Sequence, residues 1–222
     1  MTKQFSSPFP KSSQAHPSQL TGGELALIAF RSQNGLFAYQ GDCLSMEALP
    51  QTNYFINPDG SPADHSAPVA ALVVEAPVFS LHARVCTGLG SLYDAAGLIV
   101  ETGNPAGGSV WEWGKCVIEL SPFLRPTIVS VVTRDVSDDA NGEELCTPEA
   151  HLRLHRNGPL LAFHWSLDGA VWKLARLFSL KGMDGPLRAG MIVQAPTGPS
   201  LTALFSGICL ETDVAIDLRN GE

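Results

Sequence analysis

The sequence predicts an all-β protein built as two antiparallel sheets packed into a sandwich. Three observations carry this. From about residue 20 to the end, short apolar stretches alternate with turn signals, and helical periodicity is scarce. The 21 glycines and 16 prolines are scattered over many separate positions, which favours many short elements over long helices. Residues 151–180 read as a three-strand meander with one apolar face, and such a face needs a second layer to cover it.

The elements follow in order. Residues 1–19 are rich in Ser, Pro and Gln and predict a flexible N-terminal arm; residues 20–222 predict a single β-sandwich domain. Val69–Val74, Leu98–Val100, Cys116–Leu120, Ile128–Val132 and Leu201–Leu210 read as strands. Strand parity turns Ala96, Leu98 and Val100 inward, and Cys116, Ile118 and Leu120 likewise. Trp113, Lys115, Val117 and Glu119 then share the opposite face. Asn157-Gly158 is a strong hairpin signal, and a two-residue loop there pairs Arg156 with Pro159, Leu154 with Leu161 and His151 with His164. One face of that hairpin carries Leu152, Leu154, Leu161, Phe163 and Trp165; the other carries His151, Arg153, His155, Ala162 and His164. Asp168-Gly169 marks the next turn, and the loop length that follows leaves open which face Trp172 takes.

Composition excludes several classes. Net charge is −8, with five Lys, nine Arg and no basic run, so a nucleic-acid partner is not expected. The longest apolar runs, Leu25–Phe30 and Val69–Val74, are far short of the roughly 20 residues of a membrane span, so no membrane partner is expected either. The N-terminus has no apolar secretory core. Cys43, Cys86, Cys116, Cys146 and Cys209 are odd in number and never spaced C-x-x-C, which predicts reduced thiols, a cytoplasmic protein and no metal or cofactor. No H-E-x-x-H, G-x-S-x-G or phosphate-binding glycine loop is present.

A set of motifs spread over residues 53–210 resembles a concanavalin-like domain-of-unknown-function family that includes a regulator of enolase. The matching pieces are Asp94-Ala95-Ala96-Gly97-Leu98, Trp113 to Glu119, Val131-Val132-Thr133 with Ser137-Asp138, Leu152 to Gly158, Ser166 to Gly169 leading to Trp172, and Leu174 to Leu177. The resemblance implies a concanavalin A-like jelly roll, a fold shared with lectins and glucanases. Three positions depart from the family pattern: Ala95 stands where Gln is usual, Asp139 where Trp is usual, and Asn53-Tyr54-Phe55 where an Asp-Phe-Trp motif is usual. If those positions line the family's ligand site, the ligand here is either a different one or absent.

The polar members of the shared motifs form the candidate ligand site: Trp113, Lys115, Glu119, Thr133, Asp94 and Arg176. Lys115 and Glu119 lie about 13 Å apart along one strand, four rises of about 3.3 Å, so they do not neutralise each other directly. Arg176 ends an apolar strand and needs a partner, Asp94 or Glu119. The leading expectation is a non-catalytic protein that binds a small polar ligand, with saccharides as the leading class. Two alternatives stay open: a regulatory module with a protein partner, and a glycan-acting hydrolase with paired carboxylates. The E-x-D-x-x-E signature of jelly-roll glucanases is absent, which weighs against the last.

Overall fold

A computed structural model describes residues 29–31, 34–103, 111–214 and 217–222; the expected arm at residues 1–19 lies outside them. In chain order the strands are β1 (Ala29–Arg31), β2 (Gly35–Gln40), β3 (Cys43–Ala48), β4 (Tyr54–Phe55), β5 (Asp64–His65), β6 (Val69–Val74), β7 (Val78–Thr87), β8 (Ala95–Glu101), β9 (Trp113–Leu120), β10 (Pro126–Thr133), β11 (Ser137–Glu144), β12 (Glu149–Asn157), β13 (Leu160–Ser166), β14 (Lys173–Phe178), β15 (Leu187–Gln194) and β16 (Leu201–Thr212). No helix occurs among the described residues, so none there is long and apolar enough to cross a membrane.

Two seven-stranded antiparallel sheets make the sandwich. The first runs β1-β6-β15-β8-β9-β10-β11, the second β14-β13-β12-β7-β16-β3-β2. Between them lies the main core, to which parity sends Ala96, Leu98, Val100, Cys116 and Ile118 from one sheet. Leu81, Ala83, Leu152, Leu154, Leu161, Phe163 and Trp165 come from the other. All five strands read from sequence are present within β6, β8, β9, β10 and β16.

A second apolar cluster lies on the outer face of the first sheet, where Ile99, Trp113, Val117, Val129, Val131 and Ile192 are covered by Tyr54 of the small β4–β5 hairpin. Tyr54 meets the Trp113 ring edge-on at 4.9 Å. Its hydroxyl donates to buried Glu101, which also accepts from Arg188 Nε at 3.3 Å. Part of the outer face of this sheet is therefore a second interior, while Val73 at its β6 side stays exposed.

The hairpin of β12 and β13 corrects the predicted register by two residues. Arg156 faces Leu161, Leu154 faces Phe163, Arg153 faces His164, and His151 faces Ser166 rather than His164. In the predicted register Pro159 would have to close the turn with an N–H it does not have. The loop is instead Gly158-Pro159: Gly158 takes φ +57° and proline supplies a negative φ, the sign pattern of a II′ turn. A shift of two preserves side-chain parity, so the predicted core face survives. Trp172 falls on the opposite face from Trp165, with its ring 4.1 Å from the Arg153 guanidinium.

Candidate ligand site

The register across the first sheet builds the site row by row on its outer face. One row reads Gly190, Ile99, Lys115, Val131, Asp139; the next, Ile192, Gly97, Val117, Val129; the next, Gln194, Ala95, Glu119, Thr127. Lys115 is buried at mid-sheet. Its ammonium donates to the Tyr54 carbonyl at 2.8 Å and to Gln194 Oε1 at 2.6 Å. The two side chains meet across β8, where the intervening residues are Ala95 and Gly97, too small to block them. Gln194 Nε2 in turn donates to the Tyr93 carbonyl at 3.2 Å.

These groups open into a cavity of about 370 Å³, within the size range of small-molecule sites. Lys115, Glu119, Asp139 and Gln194 supply its polar lining; Phe55 and Tyr93 supply aromatic walls; Asn53 and Asn57 complete the rim. Tyr93 holds φ +66°, a left-handed backbone that costs a bulky residue of order 1–3 kcal/mol. Its N–H donates to the Leu120 carbonyl at 3.0 Å and its own carbonyl receives Gln194, so neighbouring strands hold it there.

The electrostatics oppose charge on both central residues. Burial pushes the Lys115 ammonium down, against the pull of Glu119, Asp139 and Asp64. Burial pushes the Glu119 carboxyl up; Asp139 adds to that, and Lys115 works against it. Among the described residues, Lys115 has no carboxylate within ion-pair distance and the Glu119 carboxylate accepts no hydrogen bond. Donor and acceptor capacity is thus left facing the cavity.

Of the six residues expected from sequence, Lys115 and Glu119 line this cavity and four do not. Trp113 is fully buried beneath Tyr54, 5.7 Å from the Lys115 ammonium, and supports the floor instead of stacking on a ligand. Thr133 is buried against Ser137, hydroxyl to hydroxyl at 2.8 Å, and Ser137 accepts the Ile56 N–H. Asp94 is a turn residue: its carboxylate accepts the N–H groups of Gly90 and Ser91 at 3.1 and 2.8 Å. Arg176 lies on β14 of the other sheet and donates to Asp138 at 2.8 Å, not to Asp94 or Glu119. The residues missed are Gln194, Tyr93, Asn57 and, as a lining group, Asp139. Asp139 sits on an acidic edge strand with no apolar alternation to reveal it, and a positive φ at Tyr93 leaves no mark in sequence.

The fold defines a class first, the concanavalin-like jelly-roll sandwich. The chain spans 91% of itself and 92% of the VIP36 exoplasmic/lumenal domain, solved in a Ca2+/Man3GlcNAc-bound form, at TM-score 0.53 and 10% identity. The chain also matches a GH43B protein of a Bacteroides ovatus xyloglucan locus at TM-score 0.61 and 13% identity, over 92% of this chain and 41% of that one. A functionally unknown protein from Saccharomyces cerevisiae matches at TM-score 0.76 and 21% identity, over 86% of this chain and 99% of that one. At such identities these likenesses show the fold alone. The chain belongs to the DUF1349 family, proteins of unknown function, whose model matches residues 33–212. No curated protein matches the sequence.

Proposed function

We propose that this protein binds a small saccharide, without transforming it, in the cavity over Lys115 and Glu119. The observation that carries the reading is one cavity combining aromatic walls, Phe55 and Tyr93, with amide and charged groups that have hydrogen-bonding capacity to spare. Sugars need both: apolar C–H faces against aromatic rings, and hydroxyls against carboxylates and amides. The lectin-like neighbour supports the class of ligand, since its solved form holds a glycan. The departures from the resembled family collect here. Asp139, Asn53 and Phe55 line the cavity, and Ala95 lies between Gln194 and Glu119. This favours a ligand particular to this chain.

One observation favours a second reading, a glycan-acting hydrolase: Glu119 and Asp139 share the cavity, and burial raises the Glu119 carboxyl as a general acid requires. The regulatory role that the resemblance implies, through a protein partner, has less behind it. Among the exposed apolar side chains, Phe123 and Leu124 share one turn and Leu167 and Val171 another, while Leu36, Val73 and Leu204 sit on three separate strands.

The test is a thermal-shift screen of mono- and oligosaccharides, followed by calorimetry. At a hundredfold excess over Kd a bound sugar stabilises by about 2.7 kcal/mol, which raises Tm by about 5–10 °C at this chain length. Glu119→Gln and Asp139→Asn should retain the unliganded Tm within a few degrees and lose the shift. A screen with no shift, or shifts untouched by both variants, overturns the reading. Cleavage of a bound oligosaccharide, abolished by Glu119→Gln, would replace it with the hydrolase.

A further inference from the structure

The outer face of the second sheet carries a different chemistry. Its cross-strand rows bring together His164, Arg153, His82 and Cys209, and beside them Ser80 and Glu211. Parity alone would not have done this. Along β16, Leu201, Ala203 and Phe205 point into the core, so uninterrupted alternation would send Cys209 and Glu211 there too. A β-bulge intervenes: Ser206 faces Arg84, but Cys209, three residues on, faces His82 only two residues back. Gly207 inside the bulge takes φ +56°. The extra residue turns Ile208 into the core and swings Cys209 and Glu211 onto the outer face.

The result is a ligand constellation. A nitrogen of His82, the sulfur of Cys209 and a carboxylate oxygen of Glu211 all lie within 4.8 Å of one another. Around a tetrahedral zinc ion, with bonds of 2.0–2.3 Å, ligand atoms stand about 3.5 Å apart, so side-chain adjustments of about 1 Å close the set. His82 and Glu211 also line a cavity of about 360 Å³ with His151, Arg153, Asp168 and Trp172. We propose that His82, Cys209 and Glu211 form a three-ligand site for a borderline divalent metal, zinc by its chemistry, with the fourth position facing this cavity. Thiolate with imidazole suits zinc, whereas magnesium and calcium take oxygen ligands. Three protein ligands and one open position is the pattern of zinc sites that exchange a ligand. Thiolate and carboxylate together balance the ion's charge. The guanidinium of Arg153, held by Trp172 at 4.1 Å and by the Gly221 carbonyl at 2.6 Å, adds a positive charge that favours an anionic fourth ligand. The set combines a Cys-x-Glu pair with a histidine 127 residues upstream.

The experiment uses the full chain freed of metal by chelator. Titration with Co2+ should give a thiolate-to-cobalt charge-transfer band saturating at one equivalent, and Zn2+ should displace it. Cys209→Ser should abolish the band, and His82→Gln and Glu211→Gln should each weaken Zn2+ binding by at least about tenfold. Cys146→Ser, at an exposed cysteine, should leave it intact. Zinc-edge X-ray absorption on the unaltered protein needs no variant to fold and should show one sulfur at about 2.3 Å with nitrogen and oxygen neighbours. The proposal is overturned by absence of stoichiometric binding, by a sulfur-free shell, or by a band that survives Cys209→Ser.

Discussion

Acid should destabilise this protein through His155 and His164, and His155→Leu should remove about half of the loss. Both side chains are fully buried on adjacent strands of the second sheet. Neither ring nitrogen of His155 has a hydrogen-bond partner among the described residues; His164 has one contact, Nε2 to the Leu218 carbonyl at 3.0 Å. Burial first, and the neighbouring Arg153 charge second, hold each imidazole down to about 4. The unfolded value is about 6.5. Between those values the unfolded chain binds more protons than the native one, so stability rises with pH there. The contribution is complete above about 6.5 and is lost as pH falls toward 4. From pH 7 to pH 5 each histidine accounts for about 2 kcal/mol, or about 1 M in urea midpoint for an m-value near 2 kcal/mol/M. Urea unfolding of the unaltered protein and of His155→Leu at both pH values measures this. At pH 7 the variant should be as stable or slightly more so, since it deletes buried polar atoms that have no partner. At pH 5 it should be the more stable by about 2 kcal/mol. Equal losses in the two proteins would refute the reasoning.

Two further outcomes follow from packing. Gly97→Ala should destabilise by about 3 kcal/mol, because its Cβ would stand 2.1 Å from the Cys116 carbonyl oxygen and 2.6 Å from the Val117 Cα, backbone atoms that yield only if the strands part; an unchanged urea midpoint would refute that. Arg156→Leu should lower stability by about 3 kcal/mol, because the guanidinium donates to the carbonyls of Gly158, Ala76, Gly185 and Met183 and so ties the β12–β13 turn to the loop before β15; thermal unfolding checks it, and a Tm shift under about 2 °C would count against it.

How much of this was legible varies by residue. Parity placed Lys115 and Glu119 on the face opposite Cys116 and Ile118, and the structure shows that arrangement. The same parity put Trp113 on that face, but it could not show that Tyr54, 59 residues earlier, closes over the indole. Arg176 needed an acidic partner, yet which strand edge comes near β14 is a property of how the sheets stack, and the answer is Asp138.

Alternation is a local property of extended backbone, so the chain's own pattern determines which side chains share a face and hence the sandwich, its core and the outward aim of the Lys115 strand. Who stands opposite whom is set by connections, and connections turn on single residues. Pro159, lacking an N–H, moved one hairpin by two places, and the bulge at Gly207 inserted one residue and exchanged the faces of everything after it. A shift of two leaves the faces intact; a shift of one reverses them. The hairpin core was therefore readable in advance, while the meeting of His82, Cys209 and Glu211, and of Lys115 with Gln194 across β8, exists only once the sheets are assembled.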